Sequence, residues 1–129
     1  MVHIMKYRVR YSDTDKLGVV YYANYLNWFE AARTELLREK GITYAELERD
    51  GIFAPVIEAH VNYKKPPQYD DMVSIQTKIT HIGNTSLKFE YEVLNEQSEL
   101  LVTGYTVHVF VDKNLKKVQV PERVRKIIE

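Results

Sequence analysis

The chain has 129 residues, with 18 Lys and Arg against 18 Asp and Glu and no cysteine. That length is one domain with a single core, expected here to span 1–129. The missing thiols exclude disulfides, a cysteine nucleophile and thiolate metal sites, and the balanced charge excludes the global basic field of a nucleic-acid binder. The first eight residues alternate apolar and polar without building the core of a signal peptide. No stretch reaches the roughly 18 apolar residues of a membrane span, so the expected location is cytoplasmic.

In chain order, residues 3–11 alternate like a strand. Residues 11–25 then place Asp13 and Asp15 in a turn with Gly18, ahead of a helix. Gly18 supplies the backbone freedom of a sharp turn. The helix start offers unpaired N–H groups and the positive end of its dipole, where a developing oxyanion would be stabilised. Residues 23–40 carry Tyr25, Phe29, Ala32 and Leu36 at helical spacing, with Leu26 and Leu37 flanking, and end at Lys40-Gly41. A helical turn over 43–50 is expected behind Thr43, with Glu46 three residues on.

From residue 53 the period changes from helix to strand. Segments 53–64, 71–81, 86–95 and 99–112 read as strands, divided by Pro66-Pro67, Gly83-Asn84 and Asn95-Glu96-Gln97-Ser98. Val73, Ile75, Thr77 and Ile79 share one face, as do Leu87, Phe89, Tyr91 and Val93. One long helix wrapped by an antiparallel sheet of about five strands is an α+β domain. The segment 105–111 is apolar on both faces near its end, which points to a partner subunit as its cover. Pro121 opens a short C-terminal helix whose Arg123, Arg125 and Lys126 form a basic, solvated face.

The run Arg8-Val9, Thr14-Asp15 and Gly18-Val19-Val20, continued by Tyr22-Ala23-Asn24-Tyr25 and Phe29-Glu30, resembles the signature of the 4-hydroxybenzoyl-CoA thioesterase family of hotdog-fold proteins. The closest resemblance is to its Tol-Pal-associated acyl-CoA thioesterase (YbgC-type) branch. It covers nearly the whole chain and implies a hotdog fold, sites built between two subunits, and a homodimer or homotetramer. The implied reaction is hydrolysis of acyl-CoA to a carboxylic acid and coenzyme A, without metal or cofactor.

The family's catalytic carboxylate falls on Asp15, acting as nucleophile or as general base, and both routes stay open. The bland alternative is that Asp15 only stabilises its turn. The family's carbonyl-polarising backbone N–H falls on Tyr22, where the branch usually has His and the hydroxybenzoyl-CoA enzymes have Tyr, so the acyl preference stays open. Tyr11 matches a tyrosine of the branch and is either a site residue or packing on a half-buried strand. Asp13 reads as a turn or cap residue.

Glu58, His60 and Asn62 alternate on one strand face that could line the acyl pocket from the partner subunit, against the alternative of plain strand residues. Lys64, Lys65 and Lys88 are candidate contacts for the phosphates of coenzyme A. Asp13-x-Asp15-x-x-Gly18 imitates a calcium loop, but Leu17 and Asn24 stand where ligands should be. No Gly-x-Ser-x-Gly elbow is present. Two competing readings remain: a dehydratase of the same fold, which would need a histidine in the site region, and a non-catalytic acyl-CoA-binding or interaction module.

Overall fold

The computed structural model describes residues 2–128. Five antiparallel strands form one sheet in the order β1-β3-β4-β5-β2. They are β1 (His3–Arg8), β2 (Val56–Tyr63), β3 (Met72–Ile82), β4 (Ser86–Leu94) and β5 (Leu100–Val109), with helices α1 (Asn24–Glu39), α2 (Tyr44–Arg49) and α3 (Glu122–Arg125). This is the α+β arrangement read from the sequence.

Helix α1 forms because Tyr25, Trp28, Phe29, Ala32, Arg33, Leu36 and Leu37 make one continuous stripe at intervals of three and four, all buried. The stripe lies on the inner face of the sheet, against Val73, Ile75, Phe89, Tyr91 and Val102. Phe29 stacks on Tyr91 with centroids 4.1 Å apart. Leu26 falls off the stripe and is exposed. The helix closes in a Schellman motif, with Gly41 at φ +81°, its N–H donating to Arg38 O and the Ile42 N–H donating to Leu37 O. Helix α2 starts as expected, with the Thr43 hydroxyl accepting from the Glu46 N–H at 3.2 Å.

Strand β5 stops at Val109, short of the expected end. Phe110 and Val111 then pair within the chain: Val118 N–H donates to Phe110 O, and Val111 bridges both Phe53 and Lys117. Phe110 and Val111 are thus paired and buried within the chain, while Tyr105 and Val107 stay partly exposed. β2 is one of the two outer strands of the sheet, and seven of its eight residues are exposed, Val56 and Ile57 among them. At the C-terminus, Arg123 pairs with Asp50 at 2.7 Å and Arg125 donates to Gly83 O at 2.9 Å, so two of the three basic residues latch the tail down rather than form a free solvated face.

Candidate active site

The strand expected to run to residue 11 ends at Arg8, and a single 3₁₀ turn over Tyr11–Asp13 follows. Asp13 locks it: one carboxylate oxygen accepts from the Tyr7 hydroxyl at 2.6 Å and from the Arg10 N–H at 2.7 Å. Its carbonyl accepts from Tyr21 N–H and from the Asn24 side chain. Burial, and then the bond to this carboxylate, push the Tyr7 hydroxyl up to about 12. Asp13 is thus the turn residue its position suggested.

Asp15 opens a tight hairpin. Its N–H donates to Val19 O at 2.9 Å, its carbonyl accepts from Gly18 N–H at 3.0 Å, and Gly18 sits at φ +79°. That is a three-residue loop ending in a left-handed glycine. The loop docks on the 67–68 segment through Val20 N–H to Pro67 O and a Val19–Gln68 bridge. One Asp15 carboxylate oxygen accepts from Leu17 N–H at 2.8 Å, which is the turn-stabilising role of the bland reading, and the side chain stays partly exposed.

The chain then delivers Tyr21 and Tyr22 to the start of α1. Their rings lie 4.7 Å apart. Contact with Tyr22, and to a smaller degree burial and the nearby Asp15 charge, hold the Tyr21 phenol above its ordinary range. Tyr21 thus lies against Tyr22 and within reach of the Asp15 charge. Among the described residues, the N–H groups of Tyr22 and Ala23 donate to no backbone carbonyl, while those of Tyr21 and Asn24 are taken up by the turn. The free amides stand where the helix dipole is positive. The Tyr22 side chain is 61% exposed, and its carbonyl accepts from the Tyr63 hydroxyl at 3.0 Å.

Beside this helix start is a cleft of about 240 Å³ lined by Tyr22, Tyr25, Tyr63, Lys64, Lys65 and Val102 among others. The structure so brings together Tyr22, Lys64 and Lys65, with Asp15 on the adjoining loop. Lys65 also pairs with Glu99 at 3.2 Å, which lowers the Glu99 carboxyl. Tyr11 is 78% exposed, outside any strand, with its ring edge-on to Tyr69 at 5.7 Å.

Within one chain, Glu58, His60, Asn62 and Lys88 lie apart from this cluster, on the face of the sheet turned away from α1. On β2 the residues facing α1 are those in step with Val61 and Tyr63, as the Val61–Gly104 pairing shows. Glu58, His60 and Asn62 have the opposite parity and lie on the outer face of the sheet. There the Tyr105 hydroxyl donates to Glu58, His60 stacks on the Tyr105 ring at 5.3 Å, and the Lys88 ammonium sits 4.4 Å from the same ring centroid. Polar alternation on a strand marks its solvent side, and the site-facing residue of β2 is the aromatic Tyr63. His60 lies on the outer face and His108 in the core, so among the described residues neither joins the Asp15 cluster of its own chain. Among the described residues no group of three His, Asp or Glu is placed to hold a metal ion, and no helix is long and apolar enough to cross a membrane.

A tyrosine-lined cleft at the start of a long helix wrapped by a five-stranded sheet, with a carboxylate on the preceding loop, defines a hotdog domain. The pattern of the Thioesterase-like superfamily matches residues 9–128, and the chain belongs to that superfamily. It is 35% identical over 114 residues to a putative acyl-CoA thioesterase of Bacillus subtilis, covering 87% of this chain and 83% of that one. It is 40% identical over 105 residues to the acyl-CoA thioester hydrolase YbgC of Escherichia coli O6:H1, covering 81% and 78%. The fold superposes on a DHNA-CoA thioesterase from Staphylococcus aureus with a TM-score of 0.92 at 32% identity, covering 98% of this chain and 91% of that one.

Proposed function

We propose that this protein hydrolyses acyl-CoA thioesters. In this reading the thioester carbonyl oxygen lies at the free amides of Tyr22 and Ala23, which strengthen their hold as it becomes an oxyanion. Asp15 either attacks the carbonyl carbon, expelling the coenzyme A thiolate and giving an acyl-aspartate anhydride that water then cleaves, or takes a proton from a water that attacks the carbonyl directly; on both routes the C–S bond breaks and the thiolate of coenzyme A leaves and is protonated. Water thereby converts the acyl group to a free carboxylic acid. Lys64 and Lys65 at the cleft supply positive charge for the phosphates.

The observation that carries the proposal is the placement of the Asp15 loop directly ahead of two unpaired amides at the helix start. The Leu17 bond to Asp15 favours the second reading, a non-catalytic acyl-CoA-binding module, because it gives the carboxylate a purely structural task. A panel of short, long and aromatic acyl-CoA substrates, assayed for released thiol with the wild type and Asp15→Asn, separates the two. Hydrolysis lost in the variant supports the enzyme; no turnover by the wild type on any substrate supports the module.

The working form in this proposal is a homo-oligomer, at least a dimer. What supports it is the open edge of β2, with exposed Val56, Ile57 and unpaired backbone groups that a second copy would satisfy. Sedimentation at micromolar concentration tests this, and an active monomer would refute it.

A further inference from the structure

A second and larger cleft, of about 540 Å³, opens between the middle of α1, α2, the 52–55 segment and the turn after β5. It shares no lining residue with the cleft beside Tyr22. Its wall is apolar at Ile52, Phe53, Pro55 and Leu115, and its one buried charge is Arg33, which is 9% exposed.

A guanidinium keeps its charge in proteins and offers five N–H donors. Arg33 uses them sparingly. Its Nη1 donates one long bond of 3.4 Å to the Tyr91 hydroxyl, the Tyr44 phenol lies beside it, its Nε is buried with no acceptor, and no carboxylate among the described residues pairs with it. A buried cation without a counterion is costly, and one that faces a cleft is a ready partner for an anion. The planar fork of arginine suits a carboxylate, which it can hold through two parallel bonds.

The rim limits what that anion can be. Glu30, one turn before Arg33 on α1, and Glu48 and Asp112 line the same cleft as Arg33 and Lys113, three negative charges against two positive. A polyanion such as a phosphate group would be repelled on approach, whereas a single carboxylate can reach Arg33. The apolar wall then needs an apolar body.

We propose that this cleft binds the carboxylate of a small monoanionic amphipathic acid, with Arg33 pairing the head group and Ile52, Phe53, Pro55 and Leu115 covering the tail. The site goes beyond the hydrolysis reading and does not depend on it.

Titration of the full-length ¹⁵N-labelled protein with octanoate, octanamide and inorganic phosphate tests the proposal by NMR. Octanoate should shift the Arg33, Phe53 and Leu115 amides saturably, and octanamide should bind about tenfold more weakly or worse, since a bond to a charged group is lost. Arg33→Gln should weaken octanoate by a similar factor. Because a buried arginine can be needed for folding, Leu115→Asp is the second variant. Leu115 is exposed and sits at φ +63°, which aspartate tolerates, and its new charge should repel octanoate. Asp15→Asn should bind octanoate as the wild type does, so failure of the hydrolysis reading leaves this site intact. Absence of saturable octanoate binding, equal binding of octanamide, or equal shifts with phosphate would each overturn it.

Discussion

The Nδ1–H of His108 donates to the carbonyl of Ala54 at 2.9 Å, and this one bond sets the direction of a chain of buried hydrogen bonds. A carbonyl can only accept, so the neutral ring carries its proton on Nδ1 and accepts at Nε2. Nε2 then accepts a hydrogen bond from the Thr106 hydroxyl at 2.9 Å, Thr106 accepts from the Tyr91 hydroxyl at 2.6 Å, and Tyr91 accepts from Arg33. The order Arg33, Tyr91, Thr106, His108, Ala54 runs across β4 and β5 under α1. It ties the buried cation to the segment that leads into β2.

That chain requires a neutral imidazole, and its environment enforces one. Burial drives the His108 pKa down to about 4; the bond to Ala54 opposes this and the Arg33 charge adds to it. Above pH about 6.5 the ring is neutral in both folded and unfolded chains. Between about 6.5 and 4 the unfolded chain binds a proton that the folded one refuses, so stability falls as pH falls, by up to about 3 kcal/mol. Urea unfolding from pH 7 to 4 should show this slope, and His108→Gln should flatten it. An unchanged slope in the variant would assign the pH dependence to the carboxylates instead.

At Gly104, β5 packs tightly between Phe29 of α1 and the backbone of β2. A Cβ there would lie 2.5 Å from Phe29 Cε2 and 2.7 Å from the His60 carbonyl oxygen. The backbone oxygen is held in the β2–β5 ladder and cannot retreat as a side chain could. Gly104→Ala should therefore destabilise by about 1–3 kcal/mol, the range for overpacking, read as a lower urea midpoint at unchanged slope.

The fold was legible because its elements obey simple periods: the α1 stripe and the Leu87-Phe89-Tyr91-Val93 face are buried as their spacing implies. The Asp15 turn was legible from its local residues. Arg33 was not, because an arginine in a helix reads as solvated, and only the tertiary fold puts Tyr44 and Tyr91 beside it. Tyr63 was missed for a related reason: polarity drew attention to the Glu58-His60-Asn62 parity, while the helix-facing parity looked like core. The fate of Phe110 and Val111 depends on residues 53 and 117, a pairing no local pattern announces.

Asp13 and Asp15 should separate cleanly by substitution. Asp13→Ala leaves the Tyr7 hydroxyl and the Arg10 N–H without their acceptor, and should cost about 1–2 kcal/mol of stability, as loss of a cap does. Asp15→Asn should leave the unfolding midpoint near wild type while hydrolysis falls about 10²-fold or more. A stable Asp13→Ala, or an Asp15→Asn with wild-type turnover, would invert these assignments.

The helix start offers the sharpest test, because two tyrosines meet there through different atoms. In the proposed reading Tyr22 contributes its backbone: among the described residues its N–H and that of Ala23 donate to no backbone carbonyl, and its largely exposed ring rests on Tyr21. Tyr63 contributes its hydroxyl, which donates to Tyr22 O and so steadies the peptide plane that carries the Ala23 N–H. Loss of one oxyanion donor costs about 10²- to 10³-fold in kcat, and loosening a donor costs less. Tyr22→Phe should then keep most of its turnover, whereas Tyr63→Phe should lose about tenfold in kcat with KM little changed, because the bond it removes matters most when charge develops on the carbonyl oxygen. If Tyr22→Phe falls by about 10²-fold with secondary structure intact, the phenol itself acts on the substrate. If Tyr63→Phe is silent, the helix start needs no outside support, and the amides are held by the Asp13–Tyr21 and Asp13–Asn24 bonds alone.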